Sequence, residues 1–301
     1  MNKNDNTFFL LLVMAMAFWA GSWVSGKIAA AAVDPYLLIF WRFLITALGF
    51  LPLLFLNRKS LVLPDLRGLL FTLGAAVAIS FYNYFFVVGL RGSLAGKGGV
   101  IVTTLNPILT FIFSTLIFRS GTALNQKIGL FIGIAGGVIL MEPWQWQAGA
   151  VAESTNLYFL YCAFFWSVLT LCSQQAQQKI HPILFNTILY TVATVLMVFV
   201  VPEDWRSLSA ALNLSAWLNI VYLALFAGVI GAGLYFYAAL ELGSSRASTF
   251  IFLVPVMALV FSRIFLGERS DLPTLAGGAL SVTAVLIINN KIRIRRFQTS
   301  D

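Results

Sequence analysis

Few side chains in this chain could carry acid–base, redox or metal chemistry. It holds one histidine, His181, and two cysteines, Cys162 and Cys172. On one helix, residues ten apart lie about 15 Å apart along the axis, beyond disulfide reach. A metal centre needs several such ligands converging, so no metal or cofactor is expected. The acids fall at the ends of apolar runs, in loops or in tails, among them Asp34, Asp65, Glu142, Glu268 and Asp271. No two are expected to meet at one depth, as a paired acid and base would require. Gly96-Lys97-Gly98-Gly99 has the look of a phosphate loop. It lacks the first glycine at the required spacing and the hydroxyl residue after the lysine. Catalysis is therefore not what these residues build.

What remains suits binding. Trp19 and Trp23 are four apart and share a helix face, as do Tyr82 and Phe86, with Asn83 beside Tyr82. Trp166, Tyr235 and Tyr237 are further aromatics in the middle of apolar runs. With Ser22, Thr103, Thr104, Asn106 and Ser167 they suit an aromatic-walled cavity with polar groups for a small organic ligand. The competing reading is helix packing and lipid contact. Arg42 is the one cation well inside an apolar run, seven residues after Pro35 and so about 10 Å from the run's start. Two readings stand for it. It snorkels or pairs with a loop carboxylate such as Asp34, or it contacts a substrate carboxylate or an outer gate.

The elements that position these residues are membrane spans. The 301 residues are 60% hydrophobic and 10% charged, whereas soluble domains carry about 25% charged residues. The net charge of +8 sits in short loops and the C-terminal tail, so it fits membrane orientation better than nucleic-acid binding. Ten apolar runs follow a polar leader: about 8–26, 35–56, 68–89, 95–118, 126–142, 156–175, 183–201, 215–239, 247–266 and 272–289. The first is long enough to span and is read as a retained helix rather than a signal peptide. Glycines at 129, 133 and 137, and at 228 and 231, are spaced for close helix approach. With the N-terminus inside, twelve of the 19 cations fall on the inner side and six on the outer, which puts both termini in the cytoplasm. Trp144, Trp146, Trp205 and Trp217 lie near run ends, where an interfacial belt is expected.

The chain is written twice. Pro107 and Pro255 each sit inside an apolar run, 22 residues before Gly129 and Gly277 respectively. Trp19 stands 16 residues before Pro35, and Trp166 stands 16 before Pro182. Phe85-Phe86-Val87-Val88-Gly89-Leu90 answers Tyr235-Phe236-Tyr237-Ala238-Ala239-Leu240. Each copy is expected to carry a proline-broken helix, with Pro107 and Pro255 as hinges. Such paired interruptions in the two halves of a transporter point to its binding site. Five runs per half is an odd number, so the second copy enters the membrane from the opposite side.

Trp19-Ala20-Gly21-Ser22, Lys27, Asp34-Pro35 and Arg42-Phe43 resemble the opening motif of the EamA branch of the drug/metabolite transporter superfamily. Tyr235 to Leu240, Ala247-Ser248, Pro255 and Gly267-Glu268-Arg269 resemble its second repeat. The first half departs from the pattern, with Arg119-Ser120 where the second has Gly267-Glu268. Glu268 is read as a loop cap or gate edge outside the substrate site. The resemblance implies an all-α membrane protein of ten transmembrane helices, arranged as two inverted five-helix repeats. The expected repeats are 8–142 and 156–289, with a basic cytoplasmic tail at 290–301. It also implies export of small metabolites, and the family includes aromatic amino-acid exporters.

The expectation is an inner-membrane exporter of amino acids or related hydrophobic or aromatic compounds, working by alternating access. Its substrate-binding residues are Trp19, Trp23, Tyr82, Asn83, Phe86, Thr104, Asn106, Trp166 and Tyr237, with Pro107, Pro255 and Arg42 as gating or hinge positions. Its partners are a small-molecule substrate and the lipid bilayer, with no nucleic acid; nothing in the residues assigns an oligomeric state. An organic-anion or nucleotide-sugar exchanger would show several cations deep in the lumen, and only Arg42 qualifies. A membrane-embedded enzyme would show clustered acids or histidines at one interface.

Overall fold

Helix caps show where the chain turns. The computed structural model describes residues 3–56, 65–118, 123–145, 155–178, 180–235, 238 and 248–288. They form α1 (Lys3–Ala32), α2 (Pro35–Leu56), α3 (Leu66–Gly92), α4 (Ala95–Phe118), α5 (Leu124–Met141), α6 (Thr155–Ala176), α7 (Pro182–Val198) and the short α8 (Trp205–Ala210). α9 (Leu214–Val221) runs on into π-helical turns over Tyr222–Gly231. A 3₁₀ segment, Ser248–Phe252, leads into α10 (Leu253–Leu266), and α11 (Leu272–Ile288) follows. No strand occurs among the described residues.

The duplication is visible in the caps. Asp34 accepts from the Tyr36 and Leu37 amides at the start of α2, and His181 accepts from the Ile183 amide at the start of α7. In both cases proline is the first helical residue, where its missing N–H is harmless. Asp65 and Asn213, 148 positions apart, each accept a 2.8 Å bond from the amide three residues on. These caps satisfy amides that a helix start leaves orphaned.

Among the described residues seven helices are long and apolar enough to cross a bilayer, and Pro182–Val198, Phe250–Leu266 and Leu272–Ile288 are shorter apolar helices. Seventeen residues make a helix about 25 Å long, slightly less than the roughly 30 Å hydrocarbon core.

The halves pack by exchange. α1 lies against the π segment and α10, while α6 lies against α3 and α4; α2 pairs with α7, α4 with α10 and α5 with α11. The α5–α11 contact is made by small residues. A Cβ at Gly129 would lie 2.9 Å from the Ala284 carbonyl and 2.8 Å from Ile288 Cγ1. A Cβ at Gly277 would lie 2.9 Å from the Gly136 carbonyl and 2.8 Å from Leu140 Cγ. The two contact sets are related by a shift of 148 residues. Without a side chain at these points the two backbones approach closely, which is how apolar helices associate in lipid.

The proline expectation needs correction. α4 passes through Pro107 as one helix, and Pro255 occupies the first turn of α10. Only the second copy is therefore interrupted near its proline, by the 3₁₀ segment that precedes it. The physical reason is position: in a first turn the absent N–H breaks no intrahelical bond, whereas α4 absorbs the loss of one bond within a packed bundle.

Candidate functional site

The residues singled out in the sequence converge on helices α1, α3, α4 and α6. Tyr82 and Phe86 stack one turn apart on α3, with centroids 6.0 Å apart. Trp166, from α6, meets Tyr82 edge-on at 4.8 Å. Trp23, from α1, is 3% exposed and lies 5.0 Å from Phe86 and 6.0 Å from Phe159. Gly98 and Gly99 leave room for these rings: a Cβ at Gly98 would sit 2.5 Å from Phe159 Cζ, and one at Gly99 3.3 Å from Trp23. Trp23 thus backs the aromatic wall from within the packed core.

Asn83 is 1% exposed. Its Nδ2 donates to the Ile79 carbonyl, and its Oδ1 is buried without a partner. Thr104 turns back on its own helix, donating to Val100 O at 2.7 Å. Asn106 receives Thr110 Oγ1 at 3.0 Å, and Ser167 Oγ lies 3.1 Å from the Asn106 carbonyl. This hydroxyl, which also donates at 2.7 Å to the Ala163 carbonyl of its own helix, brings α6 against α4 immediately before Pro107.

Trp19, one turn before Trp23 on α1, meets the second half of the chain. Its indole N–H donates to the Ala227 carbonyl in the π segment at 3.1 Å, and its ring lies 5.3 Å from Tyr235. Thr46 Oγ1 is 3.3 Å from the Ala224 carbonyl of the same segment. π-helical turns present carbonyls outside the usual i→i+4 ladder and recur at functional sites. Tyr237 lies outside the described residues.

Arg42 does not pair with Asp34, whose carboxylate is engaged in capping α2. It belongs to the i, i+4 stripe Leu38–Arg42–Thr46, whose other two members are buried, so it points into the bundle. The guanidinium carbon lies 5.5 Å from the centroid of Phe86, and Nη1 is buried with no hydrogen-bond partner. Lys27 donates to the Leu90 and Ser93 carbonyls at 2.6 and 2.8 Å. Arg91 returns the contact, donating to Ala30 O and Val33 O.

A second polar centre escaped sequence reasoning. Lys97, named there only within a glycine-rich stretch, lies in the first turn of α4 and is buried. It pairs with Glu142 and lies 3.4 Å from Asp271. Glu268 accepts from the Ala95 and Gly96 amides, capping α4 from the α10–α11 loop. The expectation that no two acids meet at one depth is therefore wrong: Glu142 and Asp271 meet at Lys97. Burial acts to raise the Asp271 carboxyl, but hydrogen bonding from Thr274 and the charge of Lys97 hold it below the ordinary aspartate value. The signal was faint: Glu142 follows the last helix of the first half, Asp271 precedes the last helix of the second, and Lys97 sits in a glycine-rich helix start.

The interfacial tryptophans divide. Trp144 is exposed, and Trp205 and Trp217 close on Trp41 at 6.0 and 5.0 Å. Trp146 lies outside the described residues. A cleft of about 390 Å³ opens near this cluster, lined by Phe40, Val198, Phe199, Val201, Pro202, Glu203 and Trp205. It includes none of the site residues chosen from the sequence.

A multi-pass apolar helix bundle, with unsatisfied polar groups and stacked rings between its halves, is the build of a membrane transporter. Residues 7–141 and 154–290 each match the sequence profile of the EamA-like transporter family, and the chain belongs to it. An uncharacterized transporter of Archaeoglobus fulgidus is 26% identical over 287 residues, covering 94% of this chain and 99% of its own length. The uncharacterized transporter YdfC of Bacillus subtilis is 28% identical over 307 residues, covering 99% and 97%. A WAT1-related chloroplastic protein of Arabidopsis thaliana is 23% identical, covering 96% of this chain and 71% of its own. A solved crystal structure at 18% identity shares the fold, with a TM-score of 0.61 over 94% of this chain and 96% of that one.

Proposed function

We propose that this transporter exports small organic metabolites, namely amino acids or related hydrophobic and aromatic compounds, by alternating access across the cytoplasmic membrane. In this reading ten spans form two inverted repeats, 8–142 and 156–289, followed by a basic tail at 290–301. Both termini lie in the cytoplasm. The substrate sits among Trp19, Tyr82, Asn83, Phe86, Thr104, Asn106, Trp166 and Tyr237, backed by Trp23, with Pro107 and Pro255 at the moving helices.

One observation carries the reading. The matched tryptophan of each half is lent to the opposite half: Trp166 closes on Tyr82, and Trp19 closes on Ala227 and Tyr235. A wall built this way changes shape whenever the halves move relative to one another, which alternating access requires. The reciprocal contacts at Gly129 and Gly277 support the inverted pairing, because an odd number of spans per half reverses the second copy.

The test is efflux of radiolabelled amino acids and related aromatic metabolites from proteoliposomes. Trp166→Ala should weaken affinity by a few-fold to about tenfold, the worth of a lost stacking partner, while folded protein remains. Normal affinity with a lowered melting temperature would assign the ring to packing alone. Single cysteines at Ser60 and Glu153 in a cysteine-free background should label from opposite sides, and labelling of both from outside would overturn the orientation.

A further inference from the structure

Of four cations within the described helices, Lys27, Arg91 and Lys97 have polar partners and Arg42 has none. Lys27 and Arg91 are each held by two backbone carbonyls, and Lys97 is held by Glu142 and Asp271. Arg42 has only the face of Phe86, and its Nη1 is buried and unbonded. No described carboxylate pairs with it. Arginine stays protonated in proteins, and a charge within a span pairs with something or marks a substrate path.

The surroundings specify the missing partner. Phe86 is flanked by Trp23 and Tyr82, and Tyr82 by Trp166. The ionisable side chains near the guanidinium are the neutral phenols of Tyr82 and Tyr190, and Tyr190 leans on Phe43 and Phe50. A single guanidinium among rings matches a single carboxylate group; a phosphate ester, with nearly two charges, would call for a second cation. The guanidinium fork matches a carboxylate in two-bond geometry, and the rings suit an apolar or aromatic body. We propose that Arg42 anchors the carboxylate of the transported compound, which is a small organic acid or amino acid with an apolar or aromatic side. This rests on the transport reading and narrows it.

The test uses the purified full chain in phosphatidylcholine nanodiscs. The probes are L-phenylalanine, L-tryptophan and phenylacetate, each beside its carboxamide. At least one free acid should bind by calorimetry, with its amide roughly tenfold weaker or worse, as expected for loss of a charge-assisted pair. Arg42→Gln should erase the preference for the acid. Arg42→Lys keeps the charge and loses the fork, so the preference should survive with affinity a few-fold lower; this variant carries the test if Arg42→Gln does not fold. Binding of no acid, equal binding of acid and amide, or an unchanged preference in Arg42→Gln would each overturn the proposal. An anionic headgroup offers the same chemistry, so the titration is repeated in phosphatidylglycerol. Thermal protection by that lipid in the parent but not in Arg42→Gln, with displacement of the acid, would assign Arg42 to lipid and overturn the substrate role. Transport without acid preference refutes this inference and leaves the transport reading intact; acid-selective binding without transport does the reverse.

Discussion

Removing Lys97 should destabilise the protein more than removing the acid it pairs with. Lys97 and Glu142 are 8% and 3% exposed, whereas the side chain of Asp271 is 41% exposed. Lys97→Met leaves Glu142 buried without that cation, a situation that costs about 3–5 kcal/mol. Glu142→Gln leaves Lys97 its second acid, Asp271, at 3.4 Å, so the loss should be nearer about 1–3 kcal/mol. At roughly 2 °C per kcal/mol for a chain of this size, the melting temperature should fall by roughly 6–10 °C in the first case. In the double variant Lys97→Met with Glu142→Gln no buried charge is stranded, so it should be more stable than Lys97→Met alone. A double-mutant cycle on detergent-purified protein reads these terms directly. A melting temperature for Lys97→Met within about 2 °C of the parent, or simple additivity in the double variant, would refute the argument that burial makes this pair matter.

The other expectations are simpler. Gly277→Val should push α5 and α11 apart, since its Cβ meets the Gly136 carbonyl; the loss should be about 1–3 kcal/mol or more, with Gly129→Val similar, checked by thermal melting. Glu268→Ala should remove the cap on α4 and lower stability by about 0.5–2 kcal/mol, measured the same way. Asp271 has a folded pKa below its ordinary value, so its contribution is complete above about pH 4 and is lost as pH falls through the folded value. Its exposure limits that contribution to below about 1 kcal/mol, and Asp271→Asn should flatten the acid limb of a melting curve taken from pH 3 to 7 by about that amount.

The helical, apolar character of the chain was legible because lipid imposes length and apolarity on a span, and the repeat was legible because prolines, tryptophans and glycines recur at near-constant offsets. Pro35 with Pro182, and Gly129 with Gly277, carry that signal in residue type alone. The Lys97 centre was not legible: it joins positions 45 and 174 residues apart, and nothing local distinguishes Glu142 from any other acid at a span end. Nor was the asymmetry of the two prolines, since both sit in apolar runs and only the backbone before Pro255 departs from α-helix. Arg42 was recognised as unusual, but its aromatic setting depends on how α2 is rotated against α3. Trp41 drew no attention, although it bonds Ser209 through its indole N–H at 2.8 Å and gathers Trp205 and Trp217.

Lys27 and Arg91 finish each other's helices. The last carbonyls of α1 are met by a side chain that the ribosome adds some sixty residues later, and those of α3 are met by one already made. Until α3 arrives, the first helix emerges with an unsatisfied end and a lysine lacking its acceptors. That end must face water or headgroups, because hydrocarbon offers neither donor nor acceptor. The first three helices therefore mature as a set, and a nascent chain stopped after α2 would present an open cationic end that the finished protein conceals.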